Sequence, residues 1–132
     1  MSVQQDFSTP AARARGLGSA KSGTDHHIRQ RVSAIALIFL VPWFLFSVIN
    51  AAGTDFEAAR AWVAQPWNAI LLVLTFGAAF YHMRLGMQVV IEDYIYGSGM
   101  KTFLLIANTF VAITLFAAAV LSVLNIWISA AA

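Results

Sequence analysis

Apolar positions along this chain gather into three long tracts, set apart by short polar stretches and preceded by a polar beginning. No charged side chain occurs between Arg31 and Asp55, none from Ala61 to Met83, and none from Thr102 to the last residue. A helix rises about 1.5 Å per residue, so about 20 apolar residues cross a bilayer core. The pattern therefore predicts an all-α membrane protein with three transmembrane helices, at about 32–50, 67–94 and 102–129, within a membrane domain of residues 31–130. Residues 1–30 read as a polar N-terminal arm with Pro10, Gly16, Gly18 and Gly23 scattered through it. Pro42 falls inside the first tract, where its missing N–H predicts a kink. Asp55, Glu57 and Arg60, with Trp62 and Trp67 nearby, predict a short interfacial helix from Asp55 to about Ala64. Gly97-Ser98-Gly99 is expected to turn the chain after the second span.

Composition strengthens the membrane reading. The chain is 60% hydrophobic and 11% charged, with a mean hydropathy of +0.74, whereas soluble domains carry about 25% charged residues. The net charge of +2 is unevenly spread. Arg13, Arg15, Lys21, Arg29 and Arg31 precede the first span, Arg60 alone lies in the first connection, and Lys101 lies in the second. This is a topology signal rather than a nucleic-acid stripe, and it puts the N-terminus inside and the C-terminus outside. Asp93 and Tyr94 then fall at the cytoplasmic surface, with His82 about 18 Å deeper along the same helix. The absence of cysteine excludes disulfides, thiolate catalysis and Cys-based metal or iron–sulfur ligation within the chain. No apolar segment directly follows Arg13 and Arg15, which excludes a secretory signal peptide. Asp6 and the lack of an amphipathic pattern argue against a transit peptide, so a bacterial inner membrane is expected rather than the mitochondrial one.

Candidate chemistry centres on the second span. At 100° per residue, His82, Gly86, Val89 and Asp93 share one helix face. An imidazole at membrane depth is a suitable axial ligand for haem iron, and a flat cofactor could lie over the glycine one turn on. A buried structural histidine is the alternative. If haem is held, its second ligand comes from another chain, because His26 and His27 precede the first span and Met83 and Met87 sit on the helix of His82. Arg31, at the mouth of the first span, could pair with a propionate or serve only as a positive-inside anchor. Tyr94 beside Asp93 could donate a hydrogen bond to a quinone carbonyl and relay protons, or could simply belong to the interfacial aromatic belt. Arg84, about 160° round from that face, reads as a snorkelling side chain or a bond to a neighbouring helix.

The run His82-x3-Gly86-Met87 with Asp93-Tyr94 at the end of the same span resembles the D-type hydrophobic membrane anchor of succinate dehydrogenase, respiratory complex II. Arg31-Val32-Ser33-Ala34 at the start of the first span also matches that family's pattern, whereas Arg84 and Gln88 depart from it. The resemblance implies a three-span subunit of a heteromeric helix bundle. Such a subunit docks a flavoprotein and an iron–sulfur subunit and has no dehydrogenase activity alone. By resemblance, His82 is an axial ligand of a b-type haem shared with a second, C-type anchor, with Gly86 beside it and Arg31 near the propionates. Tyr94 and Asp93 belong to the ubiquinone site. The anchor of a fumarate reductase and a cofactor-free structural or transport subunit are the alternatives.

Overall fold

The structure, a computed structural model, describes residues 9, 11 and 23–131. The arm expected over residues 1–30 therefore lies largely outside the described residues. Among them, four helices and no strand are found: α1 (Gly23–Ala52), α2 (Phe56–Ala64), α3 (Pro66–Tyr94) and α4 (Ser98–Ala131). Three of these, α1, α3 and α4, are long and apolar enough to cross a membrane.

Each helix starts and stops for identifiable reasons. Backbone hydrogen bonding needs no apolar side chain, so α1 begins at Gly23, well ahead of the apolar tract, and runs without a break through Pro42. Asp55 caps α2, its carboxylate accepting from the Ala58 N–H at 2.7 Å, a contact that stabilises a helix start by about 1 kcal/mol. Pro66 opens α3, where a missing N–H costs nothing. At its other end, the Lys101 ammonium donates to the Glu92 carbonyl at 2.9 Å, satisfying one of the acceptors that a helix terminus leaves unpaired. The connection after α3 is residues 95–97, two positions earlier than Gly97-Ser98-Gly99. The Gly97 carbonyl already accepts from the Lys101 N–H at 2.8 Å, so Ser98 and Gly99 belong to α4.

α3 is the central element and packs on both α1 and α4. Its pairing with each is antiparallel: Ser33 meets His82 while Gln30 meets Gly86, and Lys101 meets Glu92 while Thr109 meets Arg84 and Phe116 meets Gly77. One end of the bundle thus holds the start of α1, the end of α3 and the start of α4. The opposite end holds α2, clipped to the end of α4 by an Arg60–Ser129 hydrogen bond of 2.9 Å.

The tightest apolar packing lies toward the α2 end. Ala69, Leu72 and Val123 are buried there against Trp43, Phe44, Trp62 and Phe76. Trp43 and Trp62 stack with centroids 5.9 Å apart, and Phe44 meets Phe76 edge-on at 5.8 Å. Outward faces carry large apolar side chains instead: Phe39 is 74% exposed and Phe110 67%. Each such side chain in water forgoes about 2 kcal/mol of transfer energy, and so many of them fit a surface meant for lipid or other apolar helices.

Candidate functional site

Ser33 is the buried polar residue of α1 that meets the second span. Its hydroxyl donates to the Gln30 carbonyl at 2.9 Å and lies 3.0 Å from Nδ1 of His82. His82 itself is half-buried, and among the described residues that contact is the ring's only hydrogen bond. One turn along α3, a Cβ added to Gly86 would meet nothing nearer than Nε2 of Gln30, at 3.8 Å. That is ordinary van der Waals spacing, so packing within this chain does not require glycine there. The face shared by His82, Gly86, Val89 and Asp93 is therefore divided: its first half lies against α1, while Val89 and Asp93 are exposed.

The remaining sequence candidates spread along the same end of the bundle. Tyr94 is 75% exposed and lies twelve residues beyond His82, about 18 Å along the axis. Asp93 beside it is also exposed. Arg31 is exposed and two residues before Ser33, hence about 160° round α1 from the side that meets α3. These three groups leave their side chains on the surface of the chain, whereas His82 is held between helices.

Arg84 is bound to the opposite neighbour. Its Nε donates to Thr109 Oγ1 at 3.2 Å, Thr109 passes its own hydrogen to the Leu105 carbonyl at 3.0 Å, and Asn108 donates to the Arg84 carbonyl at 2.9 Å. The hydrogen bond to a neighbouring helix was one of the two expectations for this arginine, and it is the one seen. On the other side, Arg84 borders a polar crevice of about 490 Å³ between the start of α1 and the end of α3, along with Asp25, His26, Arg29, Gln88 and Glu92. Nε2 of His26 is buried there without a hydrogen-bond partner among the described residues. His26 precedes Ser33 by seven residues, so it sits about 10 Å along α1 from the level of His82. No cluster of three or more metal-ligating side chains occurs among the described residues.

A family model described as succinate dehydrogenase/fumarate reductase transmembrane subunit matches residues 5–124. The chain belongs to that family. Its similarity extends to individual members named succinate dehydrogenase hydrophobic membrane anchor subunit. One from Rickettsia conorii is 35% identical over 85% of this chain and 90% of its own. One from Rickettsia bellii is 37% identical over 77% and 82%, and one from Paracoccus denitrificans is 35% identical over 79% and 81%. No solved structure matches. Transmembrane subunits of this family are expected to present apolar spans, and α1, α3 and α4 do so.

Ser33 and Gln30 are the site residues that sequence reasoning missed. Ser33 entered only as part of a family motif, yet a serine set in an apolar tract is a sign of helix-to-helix contact. Its partner could not be named until α1 and α3 were paired in register.

Proposed function

We propose that this chain is the hydrophobic membrane anchor of a succinate:quinone oxidoreductase, carrying one axial ligand of a b-type haem and part of a ubiquinone site. Membership of the family supports the anchor role, and the names of the relatives favour succinate oxidation over fumarate reduction. The observation that carries the cofactor assignment is His82, a half-buried imidazole whose one hydrogen bond among the described residues is made through Nδ1. A neutral imidazole held in this way leaves Nε2 for iron, and the tolerance for a side chain at Gly86 leaves room beside it. The second ligand belongs to a partner, the C-type anchor, because His26 and His27 stand before the apolar tract of the first span.

Haem held at His82 would supply a one-electron carrier between the iron–sulfur subunit and quinone. The residues of this chain do the rest. His82 binds and orients. Tyr94 donates a hydrogen bond from its hydroxyl to a quinone carbonyl, and Asp93 beside it accepts or delivers protons at the surface. Arg31 lies away from the α3-facing side of α1, so a propionate reaching it would approach from the partner side. The clustering of Arg29, Arg31 and Lys101 at the His26–Tyr94 end supports placing that end in the cytoplasm of a bacterial cell, where the flavoprotein and iron–sulfur subunits dock.

Purification through a tag on this chain tests the assignment. A flavoprotein, an iron–sulfur protein and a second small membrane subunit are expected to co-purify, with succinate-driven ubiquinone reduction. Isolation of a stable membrane complex that lacks flavin and does not oxidise succinate would refute it.

A further inference from the structure

The hydroxyl of Ser33 has one hydrogen and two lone pairs. The Gln30 carbonyl, 2.9 Å away, is within reach of that hydrogen. With Nε2 given to iron, as proposed above, the neutral ring carries its proton on Nδ1, and the 3.0 Å contact is then Nδ1–H donating to Ser33 Oγ while the hydroxyl donates to Gln30. Two acceptors facing each other at that distance would repel. Donation from Nδ1 leaves the lone pair of the neutral ring on Nε2. Ser33 is only 6% exposed, so water does not compete for its lone pairs, and its bond back to Gln30 fixes the rotamer. In that arrangement the ring is held in tautomer and in rotation about its Cβ–Cγ bond from a helix other than its own.

We propose that Ser33 is the positioning residue of the metal-binding histidine, holding His82 as the Nδ1–H tautomer and tuning the electron donation of Nε2 toward iron. This inference rests on the assignment of His82 as an axial ligand. Hydrogen-bond acceptors on the far nitrogen of a ligating histidine orient the ring and raise its basicity. A more basic ligand favours the ferric state, so the Ser33 contact lowers the midpoint potential. The sequence interval follows from the packing: Ser33 on α1 and His82 on α3 meet because the two helices run antiparallel with Gln30 opposite Gly86.

The test uses the assembled complex with Ser33→Ala, Ser33→Thr and His82→Leu. Removing the acceptor in Ser33→Ala is expected to raise the midpoint potential of the b-type centre. It is also expected to shift the largest g value of the ferric low-spin signal, because the ring is free to rotate. Ser33→Thr keeps a hydroxyl at the same Cβ and is expected to restore both. Should Ser33→Ala fail to assemble, Ser33→Cys serves in its place, since sulfur is a poor acceptor. Wild-type potential and g values in the Ala or Cys variant, together with loss of the low-spin signal in His82→Leu, would overturn the role of Ser33 and keep His82 as ligand. An intact low-spin signal in His82→Leu would overturn the ligand assignment itself, and the role of Ser33 with it.

Discussion

Tyr94 shows what a single side chain in this bundle is free to do. It ends α3 three-quarters exposed, and its hydroxyl makes no hydrogen bond among the described residues. A hydroxyl that makes no bond among the described residues can be removed without loss of this chain's fold. Under the proposed role, Tyr94→Phe removes one hydrogen bond to quinone, worth about 1 kcal/mol, which corresponds to a drop of roughly fivefold in quinone turnover. Succinate reduction of an artificial dye should stay at the wild-type rate in the same preparation; normal quinone turnover would remove Tyr94 from the site. His82, Tyr94 and Asp93 stood out in the sequence as candidates because ionisable and polar groups in or beside an apolar tract are costly there. The partner of Arg84 was not. A guanidinium in a span can snorkel or bond, and only the α3–α4 register shows Thr109 and Asn108 within reach. Ser33 was hidden for the same reason, since a hydroxyl can satisfy itself on its own helix.

At the scale of helices, the apolar tracts located all three long elements, because a span must be apolar over its whole crossing. Helix ends were less visible. α1 extends back through polar residues to Gly23, and α4 starts at Ser98, where a turn was expected. Side-chain polarity decides what crosses a membrane, whereas helix length is set by backbone hydrogen bonds and caps. The short α2 was readable from its charges and tryptophans, and its cap, Asp55, is the residue that the pattern marked. Helix spacing was not readable. A Cβ at Gly77 would lie 3.3 Å from the Phe116 ring, tighter than ordinary contact, so α3 and α4 approach closely there. Gly77→Ala needs only a small shift of Phe116 and should cost less than about 1 kcal/mol. Gly77→Leu should force the helices apart and cost about 1–3 kcal/mol, read as a lower melting temperature of the purified complex. Equal melting temperatures for Gly77→Leu and the parent would show that this approach is not a tight one.

For the whole molecule, the antiparallel order places the ends of α1 and α3 that carry Arg29, Arg31, Asp93 and Tyr94 together, with α2 at the opposite end. The absence of cysteine makes the proposed orientation simple to measure. Thr54→Cys, in the connection before α2, should react with an impermeant maleimide from outside right-side-out vesicles. Ser98→Cys should react only in inverted ones, and the reverse labelling would turn the bundle over. That the chain belongs to the succinate dehydrogenase/fumarate reductase transmembrane subunits follows from the comparison over residues 5–124. The cofactor assignment is narrower and depends chiefly on one imidazole. The most direct measurement is a reduced-minus-oxidised visible spectrum of the complex purified with wild-type chain and with His82→Leu. The account predicts a sharp b-type α-band in the wild type that is lost or converted to a high-spin form in the variant, with flavin content unchanged. An unaltered low-spin band in His82→Leu, or no haem in the intact wild-type complex, would contradict it.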